Sequence, residues 1–397
     1  MHALRVAQAF DGTAFLGPAT VVVEGDTIVG VEPGHPELPD GTCRATYDGT
    51  VLPGLIDCHV HLVATSVVGS LEEAGELDDE ALDERIRASL AAEVASGVTA
   101  VRDLGDRRYR TLEARALPGL PRVVAAGPPV TTPDGHCHFL GGGAAGVAGL
   151  RRAVAEHAEH GVDVVKLMAS GGMLTPGSDS FGVQFADDEL RAVVEAAHEA
   201  GLQVLAHAHS LAGIRHAVAA RVDGIEHFTG ITAEGLQLPD DLLEEVAAAA
   251  IQVCPTVGTD PERVPPIDKL SPGLRATFER LGFDFSTFTA TRIGHLTRMR
   301  AHGLRLVSGT DAGISPPKAH GNVAFAVLDL VTAGYAIAEA LATATSGAAA
   351  SCGLADRTGS LRAGLAADLL VVDGDLAADP SALHRPVSVW VRGDQTV

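Results

Sequence analysis

The chain has 397 residues, 51 acidic against 29 basic, a formal net charge of −22, and 46% hydrophobic with 20% charged residues. That composition is too apolar for a disordered chain and too evenly mixed for a fibrous or low-complexity one. The acidic balance argues against nucleic acid or an anionic membrane surface as partner, because polyanions bind through clustered Lys and Arg. The N-terminal MHALRVAQAFDG has no basic stretch followed by an apolar core, and no apolar run is long enough to cross a bilayer, so neither a signal peptide nor a membrane span is expected. Five cysteines (Cys43, Cys58, Cys137, Cys254, Cys352), widely spaced and without CxxC, fit a reduced, cytoplasmic protein.

In chain order, RVAQAF and DGT lead into ATVVVEGDTIVGVEP, where Gly25-Asp26 between two alternating runs signals a hairpin. From Val51 onward, short β-rich runs alternate with helical stretches. The runs are VLPGLID (51–57), GVTAVRD (97–103), PRVVAAG (121–127), VDVVKLM (162–168), LQVLAH (202–207), VDGIEH (222–227), IQVCP (251–255) and LRLVSGTD (304–311). Helical patterns include 78–96, 187–200 and 275–303. Eight β-runs, each followed by a helix or long connection over about 300 residues, predict an α/β fold, a (β/α)8 TIM barrel. A doubly wound open sheet would also show alternating units. The closing SLRAGLAADLLVVDGDL and VSVWVRGD read as strands again. The two ends are expected to meet as one small β-sandwich domain, 1–52 with 358–397, beside a catalytic barrel over 53–357.

Residues with chemistry collect at the strand ends. Asp57-Cys58-His59-Val60-His61 ends the first barrel strand, and alternate residues of a strand share a face, so His59 and His61 can address one point. Imidazoles so placed chelate a borderline metal such as Zn²⁺, with Asp57 as an outer acceptor orienting one ring. An HxH pair by itself is as readily incidental. Its companions decide: Lys166 lies in VDVVKLMASGG, an apolar setting where an ammonium is costly. His207 ends the fifth run, His227 the sixth and Asp311 the eighth. In a barrel all these junctions open onto the face that carries active sites, where packing alone would place Val, Ile or Leu.

PGLIDCHVHL, the strand-four Lys, the strand-five and strand-six His and SGTDAG together resemble the amidohydrolase superfamily of metal-dependent hydrolases. The resemblance is closer to its imidazolonepropionase-like branch, which includes dipeptidases acting on Xaa-Pro and Xaa-Arg substrates. It runs through nearly the whole chain, including GVTAVRDLG, DVVKLMASGG, VLAHAHS, GIEHF and GSLRAGLAADLLVVDGD. It implies two divalent metal ions, the first on His59 and His61, the second on His207 and His227. A carboxylated Lys166 would bridge them, and Asp311 would be both ligand and general base. Zn²⁺ suits imidazole and carboxylate ligands with an open position, and Mn²⁺, Fe²⁺ and Co²⁺ share that ligand chemistry. A lysine carbamate converts a cation into a bidentate anion, and two nearby metals share a hydroxide whose pKa they lower. Asp311 would take the proton as attack begins and deliver it to the leaving nitrogen.

His209, on the same side of an extended segment as His207, is an alternative ligand; His207 sits nearer the strand end and is preferred. After the third strand, Asp134-Gly-His136-Cys-His138 offers His136 and His138 as substrate contacts, although solvated loop histidines are as common. Asp103, ending strand two, reads as support for the site or as a helix cap. His157, His160, His198, His216, His295 and His302 fall on helical stretches and read as surface residues. Ser170 and Ser178 lack a GxSxG elbow, which argues against a serine nucleophile. Related dipeptidases carry a Tyr shortly after the strand-six His; here the stretch is Glu226-His227-Phe228-Thr229-Gly230-Ile231, with none. Electrophilic help on a carbonyl would then fall to His136 or His138. The loop 256–271 offers Arg263 and Lys269 to a substrate carboxylate, though such loop cations are more often simply solvated.

The expected protein is a cytoplasmic, metal-dependent amidohydrolase that cleaves a C–N bond in a small-molecule substrate or dipeptide. Large α/β enzymes of this size often pair as homo-oligomers. The same centre could cleave a cyclic amide, a carbamate or an ester, or deaminate a heterocycle, although single-metal deaminases tend to lack the strand-four Lys. The opposing reading is a binding protein that has lost catalysis. Such a chain would be expected to lose a metal position, and all are present here.

Overall fold

The alternating N-terminal runs pair as a hairpin. Phe15–Glu24 and Thr27–Pro33 are antiparallel with Glu24 opposite Thr27, so Gly25-Asp26 is the two-residue turn. Gly25 has φ 59°, which the turn requires and glycine adopts without strain. The computed structural model, which describes residues 1–397 apart from the side chain of Ala116, joins this hairpin to the other chain end in a seven-stranded sheet. Its order is Asp394–Gln395, Pro386–Val391, Leu369–Val372, Cys43–Pro53, His2–Phe10, Phe15–Glu24, Thr27–Pro33. Alternation divides the strands between two cores. Leu4, Val21, Val51, Leu369 and Trp390 pack in a core of the sheet's own, whereas Phe10, Leu52, Leu370 and Val372 join the large core shared with the barrel.

Eight parallel strands form the barrel, in two arcs. The first arc holds barrel strands one to three, Leu55–Val60, Val98–Asp103 and Arg122–Ala125. The second holds strands four to eight, Val164–Met168, Gln203–Ser210, Gly224–Thr232, Gln252–Cys254 and Arg305–Leu306. Backbone hydrogen bonds close the ring at both seams: Cys58 N to Ser308 O at 3.0 Å and His61 N to Ala312 O at 2.9 Å, then Asp163 N to Ala125 O at 2.9 Å and Val130 N to Lys166 O at 2.8 Å. Beneath the strands, Ile56, Cys58, Ala100, Val124 and Val307 pack against Ala348, Ala349 and Leu354, the first two from the helix Ser346–Ser351. Among the described residues, no helix is long and apolar enough to cross a membrane.

Three expectations change in detail. VLPGLID is two strands, not one: residues up to Pro53 pair with Leu369–Val372 in the terminal sheet, and the barrel begins at Leu55. The helical pattern 275–303 is two helices, Pro272–Leu281 and Phe285–Ala301. Gly282 (φ 64°) ends the first in a left-handed cap, and the Asp284 carboxylate accepts from Thr287 N to start the second. The eighth strand pairs only over Arg305–Leu306, and the rest of its run carries Asp311 away from the ladder.

Gly54 marks the seam between sheet and barrel. A Cβ there would lie 2.2 Å from the Thr99 side chain. Gly54→Ala is therefore expected to destabilise the fold by about 1–3 kcal/mol through overpacking, read as a lower urea midpoint, with Thr99→Ala recovering part of the loss.

Candidate metal centre

The strand ends bring His59, His61, Lys166, His207, His209, His227 and Asp311 to one cavity of about 620 Å³. One donor group is His59, His61 and Asp311, and another is His207, His209 and His227; within each, the ligand atoms lie within 4.8 Å of one another. Asp311 Oδ1 stands 3.3 Å from His59 Nε2 and 3.2 Å from His61 Nε2. Lys166 Nζ lies 3.5 Å from His59 Nε2. The His59 and His227 ring centroids are 5.1 Å apart, so the two groups adjoin.

Each imidazole has one nitrogen engaged. His59 Nδ1 donates to Glu226 Oε2 at 2.6 Å and His61 Nδ1 to Gly105 O at 3.3 Å. His209 Nδ1 meets Thr229 Oγ1, and His227 Nδ1 meets Thr256 Oγ1, each at 2.9 Å. His207 is turned the other way, with Nε2 donating to Gly171 O at 3.2 Å. The opposite nitrogen is left for the cavity, the arrangement by which metal-binding histidines fix their tautomer. Burial drives His59, His207 and His227 well below the ordinary imidazole range and His209 down to about 3, so these rings are neutral. Burial also lowers the Lys166 ammonium, against the pull of Glu226 and Asp311. Burial pushes the Asp311 carboxyl up, and the adjacent His59 and His61 outweigh it, leaving it below the usual carboxylate range. Neutral imidazole lone pairs beside a carboxylate and a depressed lysine are a donor set that fits divalent metal ions.

Other expected residues sort themselves by contact. Asp57 does not orient an imidazole. It accepts from the backbone of His59 (3.1 Å) and from Thr310 N (3.0 Å) and Oγ1 (2.5 Å), tying the first strand to the loop that carries Asp311. Asp103 accepts from Leu62 N at 2.7 Å and Gly105 N at 3.2 Å, which shapes the loop behind His61; no helix begins there for it to cap. His136 lines the cavity, its ring centroid 4.7 Å from that of His207, whereas His138 is outside the lining with Nδ1 on Gly135 O. Thr175 Oγ1 accepts from Cys137 N and meets His136 Nδ1 at 2.8 Å. Arg263 pairs with Asp260 at 3.2 Å, and neither it nor Lys269 lines the cavity. None of the three tyrosines does so either. His157 and His295 are buried, against the surface reading; His157 bonds to Pro128 O and Ala153 O, both at 2.7 Å.

Glu226, Arg292 and Lys318, which position the histidines, were not legible in the sequence. Alternation would turn Glu226 away from a site that His227 faces. The backbone instead enters the left-handed region at His227 (φ 68°) and Phe228 (φ 49°), and both side chains reach the barrel interior. Arg292 fixes this turn, donating to His227 O at 2.7 Å, Phe228 O at 3.0 Å and Pro255 O at 2.6 Å. Lys318 Nζ donates to Thr256 O at 2.6 Å, and Thr256 is itself left-handed (φ 47°). The one available signal for Glu226 was a carboxylate in an apolar strand, which must be paired to be buried.

Neutral imidazoles, a lysine and an aspartate gathered at the C-terminal mouth of an α/β barrel are the arrangement of metal-assisted hydrolases. The chain belongs to the amidohydrolase family, whose model matches residues 50–396, and is a hydrolase acting on C–N bonds. It is 25% identical over 419 residues to an ochratoxinase of Aspergillus niger, covering 96% of this chain and 82% of that protein. It is 26% identical over 416 residues to an imidazolonepropionase of Mesorhizobium japonicum, covering 94% and 92%. The structure is similar to that of a prolidase complexed with N-methylphosphonate-L-proline, with TM-score 0.82, 25% identity, and 99% and 98% of the two chains covered.

Two outcomes test the supports of the site. Arg292→Lys cannot reach three carbonyls and is expected to cost about 3 kcal/mol, with weaker retention of added Zn²⁺ in dialysis. The buried pair His320–Glu93 (2.9 Å) links the loop after strand eight to the helix Asp79–Ala95, and His320 Nε2 also donates to Ala64 O at 3.0 Å. Burial pushes the His320 pKa down, and Glu93 outweighs it, leaving it above its ordinary value. A raised folded pKa gives stability that is full below the unfolded value of about 6.5 and lost as pH rises through the folded one. The gap in urea midpoint between the natural chain and Glu93→Gln is thus expected to be wider at about pH 6 than at about pH 9.

Proposed function

We propose that this chain is a metal-dependent amidase that hydrolyses a C–N bond in a small molecule or dipeptide. The observation that carries the reading is the convergence of the His59–His61–Asp311 and His207–His209–His227 groups in one cavity. Similarity to proteins named ochratoxinase and prolidase supports an amide as the reacting group. His59 and His61 would hold one divalent ion, His207 and His227 a second, Lys166 as its carbamate would bridge them, and Asp311 would complete the set. Zn²⁺ fits these donors best. Such ions, when bound, polarise a carbonyl and lower the pKa of an attacking water.

The chain's own groups do the rest. Asp311 Oδ1 faces His59 and His61, so its other oxygen, Oδ2, takes the water's proton and returns it to the leaving nitrogen. With Thr175 donating to Nδ1, His136 keeps its proton on Nε2 and offers it as a hydrogen bond to the carbonyl oxygen as negative charge develops there, in place of the Tyr that is missing after His227.

Metal analysis with hydrolysis assays tests this. Two equivalents of divalent metal and chelator-sensitive amide hydrolysis are expected; less than one equivalent with no chelator-sensitive hydrolysis would sink the reading. Lys166→Ala should lose half the metal, and full retention there would remove the bridge. His136→Ala should lower kcat/KM by about 10²-fold and His138→Ala should leave it unchanged.

A further inference from the structure

The cavity above the donor groups is walled by apolar side chains from three segments that the ligand set does not use. Met173 and Leu174 come from the loop after strand four, Val264 and Leu274 from the segment after strand seven, and Phe288 and Ile293 from the helix Phe285–Ala301. Phe288 is held by its neighbours, with the Phe278 ring 5.2 Å away.

The charged groups of the walls are already committed. Arg292 spends its guanidinium on the carbonyls of His227, Phe228 and Pro255. Lys318 Nζ donates to Thr256 O at 2.6 Å and Val257 O at 3.2 Å. Asp329 Oδ2 accepts from Gly258 N at 2.8 Å. Among the described residues, every charged side chain lining the cavity either belongs to the donor groups or is bonded to backbone in this way. A charged substituent would enter these walls at the cost of its hydration, and to pair with it Arg292, Lys318 or Asp329 would have to give up these backbone bonds. An apolar one would gain by leaving water.

We propose that the substrate is an amide carrying a bulky uncharged apolar group, aromatic or branched aliphatic, beside the scissile bond. The proposal rests on the amidase reading and narrows it to amides without charged substituents, away from dipeptides, whose termini are charged. In the reaction R–CO–NH–R′ plus water, the C–N bond breaks, a C–O bond forms, and the water's proton goes to nitrogen, giving R–COOH and H2N–R′.

The test uses the full-length, Zn²⁺-loaded protein and a series of secondary amides. In these, R or R′ is methyl, isobutyl, benzyl, carboxymethyl or guanidinopropyl. The isobutyl and benzyl amides are expected to exceed the methyl amides in kcat/KM by at least about tenfold, with the two charged series at or below methyl. Charged amides turned over as well as apolar ones would overturn the proposal and leave the amidase reading standing. If no amide in the series is hydrolysed, the amidase reading fails, and calorimetric titration with the same amides decides the cavity's preference. Tenfold tighter binding of the apolar members supports it, and equal or reversed binding overturns it. Leu274→Asn and Phe288→Ala should each reduce the benzyl-to-methyl ratio by at least about threefold. A uniform loss across the series would assign these residues to folding alone and overturn the proposal.

Discussion

Desolvation is the constraint on which the site depends. Imidazoles crowded into one cavity, with the His207 and His227 ring centroids 4.5 Å apart, would repel one another if protonated. Burial keeps them neutral and so keeps their lone pairs free. Neutral rings are also free to rotate or change tautomer, and each is stopped by a hydrogen bond on the nitrogen that faces away. Where the strand geometry reverses the ring, as at His207, the engaged nitrogen switches from Nδ1 to Nε2. The barrel's task is therefore to supply a hydrogen-bond partner behind every ring, from Glu226, Gly105 O, Gly171 O and two threonines.

Supplying those partners strains the backbone. His227, Phe228, Thr256 and Asp311 all have positive φ without being glycine, a conformation that persists only where the surroundings hold it. Arg292 and Lys318 hold it here by bonding to the carbonyls that the left-handed turns expose. This use of the two cations has a second effect. They balance the field near Asp311 and Asp329 without being free to pair with a ligand, which leaves the upper cavity apolar in behaviour as well as in lining.

What was legible in the sequence follows from periodicity. His59, His61, Lys166, His207, His227 and Asp311 could be placed because a parallel barrel gathers its strand ends on one face, and each of these residues ends or adjoins a β-rich run. Glu226 was hidden because strand alternation fails at a left-handed residue, and no pattern announces one at a non-glycine position. Arg292 was hidden because it lies in a helix whose other arginines, Arg298 and Arg300, pair with Asp240 and Glu339 at the surface; only the fold puts the strand-six turn against it. Asp57 had the right residue type for holding His59, but the held atom is a backbone nitrogen, since Glu226 already occupies the ring's far side. His136 and His138 were equivalent in sequence. What separates them is Gly172, where a Cβ would lie 2.2 Å from His136 Nε2, so that the missing side chain makes room for one ring in the cavity.

Glu226 also links the centre to the base of the barrel. Its Oε1 stands 3.6 Å from the Arg102 guanidinium, which in turn donates to Cys58 O at 2.9 Å and to Ser351 Oγ at 2.9 Å. Ser351 ends the helix that packs beneath the strands. A carboxylate bonded only to a neutral imidazole would be costly at this depth; paired with Arg102 it is tolerated and can polarise His59 more strongly as an acceptor. The charge that tunes His59 thus depends on a cation anchored to the opposite end of the barrel, and the helix that closes the base becomes part of the electrostatics of the mouth.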